Sequence, residues 1–344
     1  MILDDKSFSN ATIKDVAKVA GVSHATVSRV INNSAKVADD KRQRILDAMD
    51  RLGYVPNMTA RSLAGGRTKV IGLLVPEIGN GYTGTIIEGI DAELSAHDYD
   101  MMLHTTHHRK VKEPIYVQSL MQGMAEGLLL LLPIDPSAYL EGLRRKKFPY
   151  VVIDHQGFDN FSPTVGATNR QGVYDGITYL IELGHRRIGF VSGPDNISCS
   201  MERLAGYRAA LNDHFVPDDD QLIVPGDHTQ LGGYKACVEL LDLEKPLSAI
   251  FAANDISAFG VIDAARARGM HIPDDISIMG FDDIPQAGRM TPALTTVRQP
   301  LFEMGRQAAK MLFAYIEEPE GPTQRLQLST ELVIRGTCAR FKDI

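Results

Sequence analysis

The 344-residue sequence has no tryptophan and only three cysteines, Cys199, Cys237 and Cys338. An odd number of widely spaced thiols without a C-x-x-C pair supplies neither a disulfide framework nor a zinc site, and it fits a reducing cytoplasm. Long apolar runs are also missing. Leu128 to Leu132 is a run of five leucines, far short of the roughly 20 residues of a membrane-spanning helix. Met1 to Asn10 lacks the apolar core of a secretion signal, so no membrane partner is expected. Nor are there catalytic signatures: no G-x-x-x-x-G-K-[ST], no G-x-S-x-G, and Gly79-Asn80-Gly81 lacks the third glycine of a dinucleotide loop. No cofactor is expected. His104, His107 and His108 crowd one strand end but have no Cys, Asp or Glu at ligand spacing, so they are not read as a metal site. Asp218-Asp219-Asp220 lacks the glycine and terminal Glu of a calcium loop and reads as a solvated turn.

What is present is ordinary globular composition, 44% apolar and 23% charged, in a chain long enough for two or three domains. The net charge of −7 is unevenly spread. Residues 1–67 carry eleven Lys and Arg against seven Asp and Glu, while the remainder carries 25 against 36. A basic head on an acidic body orients a molecule on a polyanion, and the modest margin predicts weak, salt-dependent non-specific binding.

That basic head contains two short helical patterns joined by a tight turn. Thr12 and Asp15 have the spacing of a helix-opening cap, and Ile13, Val16, Ala17 and Ala20 then recur on one helical face. Gly21 can take the left-handed conformation that ends a helix, and Ser23 can cap a second helix whose Val27, Val30 and Ile31 face inward. Its outward face keeps His24, Ala25, Ser28 and Arg29. A capped helix carrying an arginine suits the DNA major groove, where a guanidinium can grip guanine O6 and N7. Asp39 to Leu52 predicts a third amphipathic helix, and Leu63 sits on a short piece followed by Gly65 and Gly66.

Asp15-Val16-Ala17-x-x-Ala20-Gly21-Val22-Ser23-x-x-Thr26-Val27-Ser28-Arg29-Val30-Ile31-Asn32 and Gly53-Tyr54-x-Pro56-Asn57-x-x-Ala60-Arg61-Ser62-Leu63 resemble the headpiece and hinge of the lactose-repressor family of transcription regulators. The resemblance implies a helix-turn-helix headpiece over 10–56 and a hinge helix or linker over 57–67. It also implies DNA contacts from Thr12, Ser23, His24, Ala25, Thr26, Ser28, Arg29, Asn32, Asn57, Arg61, Leu63 and Ala64. Leu63 stands where the family wedges a leucine into the minor groove, kinking the duplex for a few kcal/mol that further contacts offset.

Downstream, strand-like apolar runs at Val70 to Pro76, Met101 to His104, Gly127 to Leu132, Tyr150 to Ile153, Ile188 to Val191, Ala249 to Ala252 and Ile276 to Gly280 alternate with helical patterns. The helical patterns include Thr85 to Ala96, Gln171 to Leu183, Glu202 to His214, Leu231 to Leu241, Ile256 to Arg268 and Phe302 to Ile316. The alternation predicts an α/β class with doubly wound parallel sheets, and about 270 residues is enough for two subdomains. Ligands in such folds bind outside the carboxyl ends of strands, where Asp154, Asn254, Asp255 and Asp282 stand.

This body resembles the same family's effector-binding core, itself similar to periplasmic sugar-binding proteins, through Arg203-Leu204-Ala205-Gly206-Tyr207, Asn254-Asp255 and Gly280-Phe281-Asp282-Asp283. The resemblance implies a core over 68–344, with one subdomain at about 68–167 and 299–327 and the other at about 168–298 and 328–344. The chain would then cross between them near Ala167, Arg298 and Leu328. It further implies an effector site drawn from Tyr82, His107, Asp154, His155, Asn169, Cys199, Arg203, His228, Asn254, Phe281 and Asp282. His108 could stand in for His107 at the cleft edge. His155, Ile197, Cys199 and His228 occupy positions that purine responders use differently, so a sugar or sugar derivative is the expected effector. Tyr82, Phe161 and Phe281 are the aromatic residues available to stack on it. No leucine heptads follow Arg335, so a homodimer on a palindromic operator is expected. The competing reading is a solute-binding protein or α/β enzyme with a helical appendage; residues 1–67 argue against it.

Overall fold

A computed structural model of the chain describes residues 11–31, 37–54, 67–155 and 161–342, which divide into two compact units, 1–68 and 69–344. In the first, α1 (Ile13–Ala20), α2 (His24–Ile31) and α3 (Asp39–Leu52) close over Val16, Ala20, Val27, Val30 and Ile45. The Thr12 backbone N–H and hydroxyl both donate to Asp15 Oδ2, at 2.8 and 2.7 Å, and fix the start of α1. Gly21 ends it at φ 66°, a conformation open to a residue without a Cβ. The Thr26 N–H donates to Ser23 Oγ at 3.2 Å and caps α2. Asn32, Asn57, Arg61, Leu63 and Ala64, with the hinge, lie outside the described residues.

The second unit holds two six-stranded sheets, each the centre of one lobe. The first lobe's order is β11-β5-β4-β3-β1-β2, from β1 (Val70–Val75), β2 (Asp100–Thr105), β3 (Gly127–Leu131), β4 (Tyr150–Ile153), β5 (Thr164–Ala167) and β11 (Arg325–Leu328), all parallel. The leucine run explains itself here. Leu129 and Leu131 face α4 (Gly81–Ala96) and α11 (Leu301–Glu317), while Leu128 and Leu130 face α5 (Glu113–Met121) and α6 (Ser137–Arg145). A strand covered on both faces has no solvent side on which to place polar residues.

The second lobe's order is β12-β10-β9-β8-β6-β7, from β6 (Ile188–Ser192), β7 (Ile223–Pro225), β8 (Ala249–Ala252), β9 (Ser277–Asp282), β10 (Thr295–Arg298) and β12 (Glu331–Val333). Its helices are α7 (Asn169–Glu182), α8 (Ser198–Asp213), α9 (Gln230–Leu241) and α10 (Asp255–Ala267). Only β12 departs from the parallel pattern, pairing antiparallel to β10 with Arg298 opposite Glu331. The cause is topological. β11 ends at the inter-lobe cleft, so a two-residue link enters the second sheet from the cleft side and must run away from it.

The chain passes between lobes at Thr168, at Gln299-Pro300 and at Ser329-Thr330. Two of these passes are tied together: the Thr330 N–H donates to Thr168 Oγ1 at 3.0 Å, and the Thr168 N–H donates to the Leu328 carbonyl at 3.0 Å. Helices pack closely within each lobe through glycine. An added Cβ on Gly89 of α4 would lie 1.9 Å from the Phe302 carbonyl oxygen of α11, and one on Gly260 of α10 would lie 1.9 Å from the Gln230 carbonyl oxygen of α9. No described helix is long and apolar enough to cross a membrane.

Candidate functional site

A cavity of about 70 Å³ lies between the lobes at the carboxyl ends of their strands, with room for on the order of five waters. The first lobe contributes Glu77, Asn80, Tyr82, Thr83, His108 and Asp154, and the second contributes Cys199, Arg203, Asp227, His228, Asn254 and Asp282. Pro76, Leu132, Ile134, Pro194, Ile197 and Ile256 form its apolar wall. Leu132, Asp154, His228 and Asp282 all hold positive φ, at 45°, 54°, 64° and 114°. Such backbone is strained for residues with a Cβ and persists where the surroundings over-determine it. All four line the cavity, and three of them, Leu132, Asp154 and Asp282, stand at strand ends.

Arg203 organises the polar end. Its side chain, 3% exposed, donates from Nε to Asn169 Oδ1 at 2.9 Å and from Nη1 to the Ala253 carbonyl at 2.6 Å. The guanidinium lies over the Phe281 ring, 4.0 Å from its centroid. Nη2 stands between Asp154 of one lobe, at 3.9 Å, and Asp282 of the other, at 3.7 Å. Asp154 accepts from the Tyr82 hydroxyl at 2.7 Å and from Asn169 Nδ2 at 3.3 Å, and Asp282 accepts from Gln299 Nε2 at 2.8 Å. Nη2 therefore points into the cavity with two acceptors beside it. A hydroxyl, which both donates and accepts, can bridge that pair.

Burial sets the protonation states around it. Burial and the nearby Arg203 charge push the His228 imidazole down to about 3, so it is neutral. Burial keeps the Cys199 thiol and the Tyr82 phenol protonated. Asp282 is pushed up to about 7 by burial, with Arg203 and Gln299 opposing the rise. Its neighbour Asp255, fully buried, is raised by burial and by Asp282, while the Thr296 hydroxyl and the Ile284 N–H donate to it.

On the first unit, α2 presents Ser23, His24, Ala25 and Arg29 exposed, with Thr26 and Ser28 half-buried, on the face opposite Val27 and Val30. Thr12 is exposed at the start of α1.

Residues 12–57 match the model of bacterial regulatory proteins of the lacI family, and residues 177–338 match the periplasmic binding protein-like domain. The transcriptional repressor CytR of Escherichia coli is 35% identical over 336 residues, 96% of this chain and 97% of that protein. The chain belongs to the LacI family. Among solved structures, the lac repressor dimer bound to operator and the anti-inducer ONPF superposes with a TM-score of 0.84 at 25% identity, over 96% of this chain and 99% of that one. A LacI-family regulator from Enterococcus faecium with bound ribose gives 0.72 at 30% identity, over 79% of this chain and 100% of that one.

Within this LacI-family core, the cavity gathers Tyr82, Asp154, Cys199, Arg203, His228, Asn254 and Asp282 from the residues singled out in the sequence. Four others fall elsewhere. Phe281 is fully buried as the platform beneath Arg203, and Asn169 lies behind the guanidinium and holds it. His155 is buried but does not line the cavity. His107 is exposed and bonds to Thr105 at 3.0 Å, leaving the rim to His108. Of the three candidate stackers only Tyr82 reaches the cavity, since Phe161 is 70% exposed in a different depression. The three crowded histidines diverge: His104 stacks on Tyr116, His107 turns to Thr105, and His108 faces Glu77. Thr83, Glu77 and Asp227 line the cavity without a sequence signal to mark them.

The raised carboxyl of Asp282 predicts a pH profile. The folded core retains a proton that an unfolded aspartate releases near pH 4. The associated stability is full below that pH and is lost as pH rises through about 7. Asp282→Asn is expected to flatten the fall in thermal midpoint between pH 5 and 8. A variant whose midpoint falls as steeply as the parent's would remove Asp282 from this account.

Proposed function

We propose that the chain is a homodimeric, cytoplasmic repressor that occupies a palindromic operator and is released when a small polar effector, a sugar or sugar derivative, fills the cleft. The observation that carries this reading is Arg203 Nη2, buried and aimed into the cavity between one carboxylate from each lobe. A polyol can satisfy both lobes at once, so it favours their closed arrangement; a ligand shifts an equilibrium only through such differential contact. Coupling of about 1–3 kcal/mol would change operator affinity roughly 5- to 150-fold. The ribose carried by the E. faecium regulator, and the operator and dimer of the lac repressor structure, support the ligand class and the assembly. A single headpiece reads a half-site, so two copies related by a two-fold axis match a palindrome.

The test is a gel shift on palindromes whose half-site spacing is varied, with the protein as a full chain. Binding should peak at one spacing. Arg29→Ala should weaken binding to the best site about 5- to 150-fold, the 1–3 kcal/mol of a bidentate base contact, and relax preference at one base position. Affinity indifferent to spacing, with Arg29→Ala equal to the parent, would sink the reading.

A further inference from the structure

We propose that the cleft selects uncharged polyhydroxy ligands and rejects their carboxylated or phosphorylated counterparts; this rests on the reading of the cleft as a sugar site. The argument is a charge inventory of the cavity wall. Among the described residues four carboxyl groups line it: the buried Asp154 and Asp282, one from each lobe, and the more exposed Glu77 and Asp227. Against them stands one guanidinium, Arg203, with the His108 ring at the rim.

Neither is placed to neutralise an anion. Arg203 has committed Nε to Asn169, Nη1 to the Ala253 carbonyl and its face to Phe281, and Nη2 already sits between Asp154 and Asp282. His108 lies at the rim, its side chain 56% exposed and its Nε2 3.8 Å from a Glu77 oxygen. His228, the remaining ring on the wall, is held neutral by burial and by Arg203 and does not become a cation near neutral pH.

Helix starts are the other common anion sites, and three converge here. Two are already capped: Asn80 Oδ1 takes the Thr83 N–H at 2.8 Å, and Asn254 Oδ1 takes the Ser257 N–H at 2.9 Å. The third, at α8, has no side-chain cap. Its partial charge of about half a unit does not offset four carboxylates.

For an uncharged ligand the same wall is well matched. Asp154 and Asp282 accept from hydroxyls, and Arg203 Nη2 donates to them. Thr83 supplies a further hydroxyl, fully buried, lining the cavity and without a hydrogen-bond partner in the protein. A buried hydroxyl left unpaired is costly, so a ligand that completes it gains specificity. An added carboxylate or phosphate would instead bring like charge against Asp154 and Asp282, which are screened from water, where repulsion is strongest.

Calorimetry on the full chain at pH 7.5 with matched pairs tests the idea: ribose against ribose 5-phosphate, glucose against glucuronate and glucose 6-phosphate, galactose against galacturonate. The neutral member of at least one pair should bind, with its anionic counterpart about tenfold weaker or worse, a difference of about 1.4 kcal/mol. Glu77→Gln combined with Asp227→Asn, which leaves Arg203 and its two partners intact, should narrow that gap. An anionic member that binds as well as or better than its neutral parent overturns the charge argument alone. Silence from every member of every pair overturns the sugar reading and this inference with it.

Discussion

Arg203→Ala should abolish the effector response while the protein still binds operator. The expected readout is a loss of sugar binding of at least about 100-fold, because the truncation removes the only guanidinium donor among the described residues of the cavity wall and leaves two buried carboxyl groups without their cation. Breaking a buried ion pair by removing one partner costs about 3–5 kcal/mol, so the core should also unfold at lower denaturant. Operator binding should persist, since the headpiece is a separate compact unit. Adding Asp282→Asn separates the two effects. It replaces a buried carboxyl that has lost its cation with a neutral amide, and should restore part of the stability without restoring any response. A ligand titration of Arg203→Ala that overlays the parent's would take Arg203 out of the site.

Gly89→Val should be the most damaging change to the fold, and Gly84→Ala, five residues earlier on the same helix, should go the other way. A Cβ on Gly89 would sit 1.9 Å from the Phe302 carbonyl oxygen and 3.1 Å from the Arg306 nitrogen, both backbone atoms that cannot rotate aside. A Cβ on Gly305, its counterpart across the contact, would lie 2.1 Å from the Ile86 carbonyl oxygen. The two helices must separate, and their separation opens the core of Ile86, Ile90, Met304 and Ala308. A loss on the order of 4 kcal/mol or more follows, at the extreme of single substitutions. Gly84 meets nothing within 4 Å, so alanine there should add about 0.5–1 kcal/mol through lower unfolded-state entropy. Urea unfolding of the two variants decides it. Equal midpoints would mean that the helix contact is looser than described.

The contrast shows what a sequence can and cannot say about this chain. Strands buried on both faces announce themselves as apolar runs, which is why Leu128 to Leu132 and Tyr150 to Ile153 were legible. Thr164–Ala167, Ile223–Pro225 and Glu331–Val333 are three or four residues long and lean on neighbours already placed, so nothing local marks them. α5 and α6 are nine residues long and bury only three residues each, and α5 has little helical periodicity. In the site, strand-end aspartates follow from topology, and Asp154 and Asp282 were found that way. Which histidine reaches the cleft is not a topological matter. His107 and His108 both have left-handed backbone, at φ 51° and 54°, and the pair turns one ring outward and the other inward. Phe281 has the composition of a sugar stacker but lies beneath a guanidinium, a role that depends on Arg203 arriving from a helix about 80 residues earlier. Thr83 is an ordinary helical threonine until its orphaned hydroxyl is seen against the cavity.

The tied passes between the lobes have a mechanical corollary. With Thr330 hydrogen-bonded to Thr168, and Arg298 held to both Asp283 and Glu331, the three links form one narrow ribbon rather than three separate tethers. Tied in this way, the links act as a single pin between the lobes. Asn169 stands on that pin and grips Arg203, and Gln299 stands on it and grips Asp282. A molecule seated between the carboxylates is therefore expected to act on these links directly, through Asn169 and Gln299, and not only on the lobes they join.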